Sequence, residues 1–362
     1  MKITKIKELL EKGVYTNQEI AELVDCTDRY VRKVKAKLPF ALHCEERGID
    51  IDNVDFYWDK TKEYSIKVNS DELSFEDLSN DLIKKLEKHS PKYKSIKLKD
   101  NKDEHLFVID IADAHFNKLA SAYETNEEYN IEIAKERAIS GVKGLLEKAK
   151  NFNIDRILFV IGNDVLHTDN AKSTTTSGTF QDTQGMFYDA FNSALETFVY
   201  IIEGLMSDYY VDVVFNPSNH DYMSGWFFAR CLGTWFRNSN TVFVDDSIKH
   251  RKYYQYGLNM IGTSHGDGAK MQDMPLLMAN EAPKMWAETK YRYQYLHHIH
   301  HKQVNKFQSG KDYIGVTVEY LRSPSASDSW HYRNGYVGAK KAVEGFLHHK
   351  EYGQIGRVTH YF

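Results

Sequence analysis

Four short apolar runs each end in a residue able to bind a metal ion, and this limits the folds open to the chain. LFVIDI (106–111) is followed by Asp113-Ala114-His115, and RILFVI (156–161) by Gly162-Asn163-Asp164. VDVVF (211–215) is followed by Asn216-Pro217-Ser218-Asn219-His220-Asp221, and NMIGT (259–263) by Ser264-His265. Such short runs, bounded by polar turns, read as buried strands. Two amphipathic stretches, IEIAKERAISGVKGLLEKAKN and FYDAFNSALETFVYIIEGLM, separate the first three and have the apolar spacing of helices packed on a sheet. The alternation predicts an α/β domain. In an open α/β sheet the carboxyl ends of the strands converge on one crevice, so groups distant in sequence become neighbours. A fifth element, His297-His298-Ile299-His300-His301, follows the aromatic segment YRYQYL.

The residue types select the chemistry. Imidazole with carboxylate and amide oxygen, and no thiolate, suits Mn, Fe, Zn or a similar divalent ion rather than a calcium cage. Two ions held close together need a shared anion to offset their repulsion, and Asp164 is the candidate for it. Each motif alone is weak: a D-x-H triplet occurs by chance, and HHIHH by itself reads as a solvated loop. Order and placement after apolar runs give the set its weight. Around it, His167 reads equally as a substrate contact or a surface residue. Lys118 reads as a solvated lysine before a phosphate contact, and Ser173–Gly178 as a mobile polar loop whose hydroxyls are a secondary candidate for phosphate. Trp330 and His331 read first as core packing and second as a platform for a base.

The rest of the chain organises around this region. Ile3, Ile6, Leu9 and Leu10 have helical spacing ahead of Gly13. Thr16 with Glu19 three residues on predicts a capping box, opening a helix through Ile20, Ala21 and Leu23. After a turn at Asp25 and Cys26, a third helix starts at Thr27 with Val31 and Val34 apolar, and Arg29, Arg32, Lys33, Lys35 and Lys37 give it a cationic face. Residues 1–45 therefore resemble a helix-turn-helix, with its second helix suited to a major groove. A protein-docking or purely structural appendage is the alternative. Residues 46–103, with the strand-like VDFYW and the helical LSNDLIKKLEKH before Pro91, read as a connector or small subdomain, and 104–362 as the catalytic domain. A net charge of −4 excludes a globally basic nucleic-acid binder and confines any such contact to one region. Cys26, Cys44 and Cys231 lack disulfide or zinc-ribbon spacing, which points to a reducing compartment. No apolar run is long enough for a membrane span, and MKITKIKELLEK lacks the apolar stretch of a secretory signal, so a cytoplasmic protein without a membrane partner is expected.

The ordered motifs resemble those of the calcineurin-like metallophosphoesterases, which include the nuclease subunits of double-strand-break repair complexes. That family's pattern of D-x-H, G-D, G-N-H-D/E, a single His and G-H-x-H appears in order over roughly residues 106 to 305. The resemblance implies an α/β, two-sheet αββα-type sandwich with a small N-terminal helical domain. It further implies that Asp113, His115, Asp164 and His300 hold one divalent ion, and Asp164, Asn219, His265 and His298 a second. Mn²⁺ is the expected metal, with Fe, Zn, Ni or Mg as alternatives. His220, its ring oriented by Asp221, would face the scissile phosphate; His297 and His301 receive no ligand role. Three positions depart from the family pattern: Asn163, Ser218 and His297 stand where glycine is usual. A non-glycine residue adopts positive φ there only at a cost.

Three functions follow as expectations. The first is a two-metal nuclease acting on phosphodiester bonds of DNA in preference to RNA, as an exonuclease or endonuclease. The second is a phosphatase or small-nucleotide phosphodiesterase whose helical module docks a partner. The third is a catalytically inactive DNA-binding regulator, against which the intact ligand set argues. With no ATPase or coiled-coil segment in the sequence, a motor partner would be a separate chain; a homodimer is the other assembly considered.

Overall fold

The computed structural model describes residues 2–32, 34–35, 59–60, 65–66, 84, 88, 90–94, 104–299 and 310–362. It divides into two compact units, Met1–Asn80 and Asp81–Phe362. In the first, helix α1 (Lys2–Glu11) precedes α2 (Asn17–Val24), and residues 28–32 and 34–35 are again helical. The expected capping box is present: Glu19 N–H donates to Thr16 Oγ1 at 3.3 Å, and Thr16 N–H to Glu19 Oε2 at 2.7 Å. Asp25, at φ 54°, stops α2. Ile6, Ile20, Ala21, Val24 and Val31 close a small core. On the cationic face, Arg32 is paired with Asp28 at 2.6 Å, so part of its charge is compensated. Lys33 and Lys37 lie outside the described residues, as do VDFYW and most of LSNDLIKKLEKH. Strands β1 (Asp59–Lys60) and β2 (Ser65–Ile66) form a short antiparallel pair.

The second unit begins with β3 (His105–Asp110), α3 (Ala122–Thr125), α4 (Ile131–Ala149), β4 (Ile154–Gly162) and α5 (Phe187–Met206). It continues through β5 (Tyr210–Asn216), α6 (Tyr222–Phe236), β6 (Val242–Asp245), β7 (Lys252–Tyr256) and β8 (Asn259–Ser264). Helices α7 (Met274–Glu281) and α8 (Pro283–Glu288) lead to β9 (Tyr291–Leu296), β10 (Gly310–Tyr313) and β11 (Val316–Tyr320). Helix α9 (Ser329–Arg333) and the hairpin of β12 (Ala342–His349) and β13 (Gly353–Tyr361) complete the chain.

Two sheets result. A six-stranded sheet has the order β13-β12-β3-β4-β5-β6, parallel from β3 to β6 with the hairpin added antiparallel. A five-stranded sheet has the order β10-β11-β9-β8-β7, with β8, β9 and β11 parallel. Because side chains alternate along a strand, each central strand serves two cores. Phe107, Ile109, Ile157, Phe159, Val213 and Phe215 face the helical layer of α4, α5 and α6. Leu106, Val108, Leu158 and Val160 face Ile261 and Tyr295 of the other sheet. Beyond that second sheet, Met260, Leu296 and Val318 pack on Met274 and Met278 of α7. The layering is αββα, as the resemblance implied. No helix among the described residues is long and apolar enough to cross a membrane.

Phe346 of β12 is fully buried between the sheets, its ring stacked on Tyr295 with centroids 4.2 Å apart. Phe346→Ala removes that contact and leaves a cavity, at a cost of about 3–5 kcal/mol. The expected outcome is a lower denaturation midpoint for the larger unit, followed by near-UV circular dichroism on heating; an unchanged midpoint would place the inter-sheet core elsewhere.

Candidate metal centre

The carboxyl ends of β3, β4 and β5 lie side by side, and the backbone keeps bonding past them. Asp113 N–H donates to the Asn163 carbonyl at 2.7 Å, His115 N–H to the Asp164 carbonyl at 2.9 Å, and Asn163 N–H to the Asn216 carbonyl at 3.0 Å. From the second sheet, His297 N–H reaches the His265 carbonyl at 2.9 Å. Asn216 Nδ2–H joins the sheets by donating to the Thr263 carbonyl at 3.0 Å. Five strand ends thereby meet around one volume.

Turning the polar groups inward costs backbone strain. Asp113 (φ 51°), His115 (46°), Asn163 (52°), Asp164 (61°) and His298 (74°) all lie in the left-handed region. Each such residue costs about 1–3 kcal/mol, and the clustering of several is typical of functional sites. Of the three positions that depart from glycine, only Asn163 takes positive φ. Ser218 and His297 need no left-handed backbone and use their side chains instead. Ser218 Oγ accepts the Asp164 N–H at 2.7 Å and donates to Asp221 Oδ1 at 2.5 Å. His297 turns into the core, with Nε2 3.3 Å from Asp110 Oδ2. Glycine is indispensable at Gly162 (φ +84°), where a Cβ would sit 2.1 Å from the Asn216 carbonyl oxygen.

The ligand-type atoms gather in two overlapping groups that share Asp164, with a third beside them. Asp113, His115 and Asp164 form the first, Asp164, His265 and His298 the second, and His115, His167 and His220 the third, with the atoms of each within 4.8 Å of one another. Asn219 joins the second, its Oδ1 2.8 Å from His265 Nε2. Asp164 is common to the first two; its Oδ1 accepts the His220 N–H at 3.0 Å and its Oδ2 faces His265 Nε2 at 3.3 Å. His300 lies outside the described residues. His167 is buried, with its Nδ1 3.1 Å from His115 Nδ1 and its ring 5.2 Å from that of His220, nearly parallel to it. The surface position considered for it is overturned: it sits in the centre, a few residues past Asp164 in the same turn.

The spacing of these donors fits divalent ions. His298 Nδ1 and His265 Nε2 are 3.2 Å apart, and two imidazole nitrogens that close repel unless a proton or cation lies between them. Donors about 2.1 Å from a common ion stand roughly 3.0–3.4 Å from one another. The charges agree. Burial alone would raise the Asp164 carboxyl, but His265 and His220 hold it well below the carboxylate range. Burial pushes Asp113 up to about 7, with the charge of His265 working against it. Burial would lower His265, yet Asp164 raises it to about 9. Burial, together with the charges of Lys118 and His220, keeps His167 well below its usual value and so neutral.

Three further sequence readings need correction. Asp221 does not orient His220: its carboxylate turns away, taking the Leu166 N–H at 2.8 Å and the Ser218 hydroxyl, and burial with nearby Asp164 pushes it up to about 7. The His220 ring is held instead by the His167 carbonyl, 2.9 Å from its Nδ1, which assigns a proton to Nδ1 and leaves Nε2 outside that bond. Lys118 is not solvated: its side chain is buried and bonded to Asp328 at 3.0 Å. Trp330 is not in the core but exposed beside the centre. Of the 173–178 run, Thr175 and Ser177 line the cleft, and Thr176 Oγ1 is tied to Asp169 at 2.8 Å. The cleft over the centre measures about 470 Å³.

The sequence matches no protein-family model and no curated protein. Among solved structures, similarity reaches a conserved uncharacterized protein of Streptococcus pneumoniae TIGR4, described as a predicted phosphoesterase (9% identity, 71% of this chain and 97% of that one, TM-score 0.25). It also reaches Vps29 of Chaetomium thermophilum (10% identity, 71% and 97%, TM-score 0.28) and a single mutant of Vps29 from Entamoeba histolytica (10%, 71% and 99%, TM-score 0.27). Identities this low leave function to be argued from the site.

Two outcomes test the centre. Ser218→Ala frees the Asp164 amide and is expected to weaken Mn²⁺ binding about 10- to 100-fold in calorimetric titration. The proton that His265 carries up to about 9 must leave before its nitrogen binds an ion. Mn²⁺ affinity is therefore expected to rise between pH 6.5 and 8.5, by up to about tenfold per unit for each proton displaced; a pH-independent affinity counts against His265 as a ligand.

Proposed function

We propose that this chain is a two-metal phosphoesterase of the calcineurin-like type that hydrolyses phosphodiester bonds of DNA. The observation that carries the reading is Asp164, one buried carboxylate shared by two donor groups, as a pair of close divalent ions requires. Asp113 and His115 serve the first ion, with His300 expected beside them from the motif, and His265, His298 and Asn219 the second. Imidazole, carboxylate and amide donors suit Mn²⁺ first, then Fe, Zn, Ni or Mg. Bound there, the two ions would lower the pKa of a water between them and withdraw charge from the phosphoryl group.

The chain's own groups supply the rest. His220, fixed by the His167 carbonyl through Nδ1–H, has Nε2 left for a leaving oxygen, and with a second proton on Nε2 it can stabilise or protonate that oxygen. Ser218 and Asp221 act one step back, holding the Asp164 backbone in its left-handed turn. The nuclease reading rests on combining such a site with a cationic helical module in one chain. The cleft volume, about 470 Å³, also suits a single nucleotide, which supports a small-nucleotide phosphodiesterase as the second reading.

Purified protein with Mn²⁺ is expected to degrade linear DNA, and His220→Ala to lower turnover about 10²- to 10⁴-fold while binding Mn²⁺ normally. If single- and double-stranded DNA stay intact while cyclic or simple diesters are hydrolysed, the second reading replaces the first. Deleting residues 1–45 is expected to reduce DNA affinity and flatten its salt dependence. An unchanged salt slope removes the helical module from DNA binding.

A further inference from the structure

The cleft has one wall that the hydrolytic chemistry leaves unused. Among the described residues its lining is imidazoles, hydroxyls, amides, carboxylates and one lysine, with two exceptions, Trp330 and Phe180. These are 61% and 70% exposed, so two large aromatic side chains face solvent in an otherwise polar cleft. Trp330 does not sit on a loose loop. It belongs to α9, whose N-cap Asp328 accepts the His331 N–H at 2.9 Å and the His331 Nδ1–H at 2.6 Å. Asp328 in turn is fixed by Lys118, whose ammonium is buried against it at 3.0 Å. Removing either partner would leave the other charge buried and unpaired, so the pair pins the helix. The indole packs edge-on to His331, with centroids 5.2 Å apart, and against Tyr336 at 5.5 Å and 31°. Lys118 is consequently spent on building the wall and is not available to bind phosphate.

A ligand suited to such a cleft has anionic oxygens for the imidazole side and a flat, apolar face for the indole. Nucleotides combine the two. In a duplex the base faces are already stacked on their neighbours, so only an unpaired base can lie on Trp330. We propose that Trp330, held by the Lys118–Asp328 pair, is a stacking platform for an unpaired nucleobase, making single-stranded nucleic acid the substrate class of the cleft. This rests on the phosphodiesterase reading of the adjacent centre for its chemistry, but not for its binding.

Binding by the full-length His220→Ala protein with Mn²⁺ tests it, using fluorescence anisotropy of a labelled oligothymidylate and an abasic oligomer of equal length. Trp330→Ala is expected to weaken the oligothymidylate about 10- to 100-fold and to leave the abasic oligomer unchanged, with Trp330→Phe retaining most of the affinity. Trp330 is exposed, so the fold should tolerate both changes; equal circular dichroism spectra check this. Unchanged oligothymidylate affinity in Trp330→Ala, or an equal loss toward both oligomers, overturns the proposal. If the discrimination appears while wild-type protein with Mn²⁺ cleaves no nucleic acid, the platform stands and the nuclease reading falls.

Discussion

Asp164 lies at the junction through which the rest of the centre is connected. Its amide is held by Ser218, its carbonyl by the His115 N–H, one carboxylate oxygen by the His220 N–H, and the other faces His265. A buried carboxylate with so much committed geometry is costly unless cations or donors surround it. The segments following β3, β4, β5 and β8 all supply such groups, so both sheets are tied to one side chain. The same feature allows one anion to serve two divalent ions.

Local strain and global packing balance at this point. Left-handed residues at Asp113, His115, Asp164 and His298 would be unfavourable in an isolated peptide. They persist because the parallel register of β3 on β4 and β4 on β5 continues past the strand ends, and because side chains clamp the turns. Tyr129 Oη–H donates to the Ala114 carbonyl at 2.5 Å and Ser323 Oγ–H to the Asp113 carbonyl at 3.0 Å. The two-sided cores of β3 and β4 supply the rigidity on which these clamps act.

The part of the cleft that carries Trp330 follows the same logic with different chemistry. There a buried lysine and aspartate hold a short helix that carries an exposed indole. Charge is used for position on both sides of the cleft, and the groups that line the open space include imidazoles, hydroxyls, amides and aromatic rings.

Much of this was legible in the sequence. The four apolar runs match β3, β4, β5 and β8 to within a few residues, because a strand buried on both faces needs an unbroken apolar stretch. The capping box at Thr16 and the convergence of Asp113, His115, Asp164, Asn219, His265 and His298 could be read for similar reasons: local hydrogen bonding, and the rule that parallel strands end on one crevice. The sequence could not show which way a polar side chain turns. Asp221 is adjacent to His220 in the chain yet bonds to Leu166 and Ser218, and His167 rather than Asp221 fixes the His220 ring. Lys118 and Asp328 are far apart in the chain, so neither the burial of one nor the helix capped by the other could be anticipated. Residue identity and strand periodicity fixed which groups reach the crevice; their orientation came from long-range hydrogen bonds and burial, which exist only once the two sheets have packed.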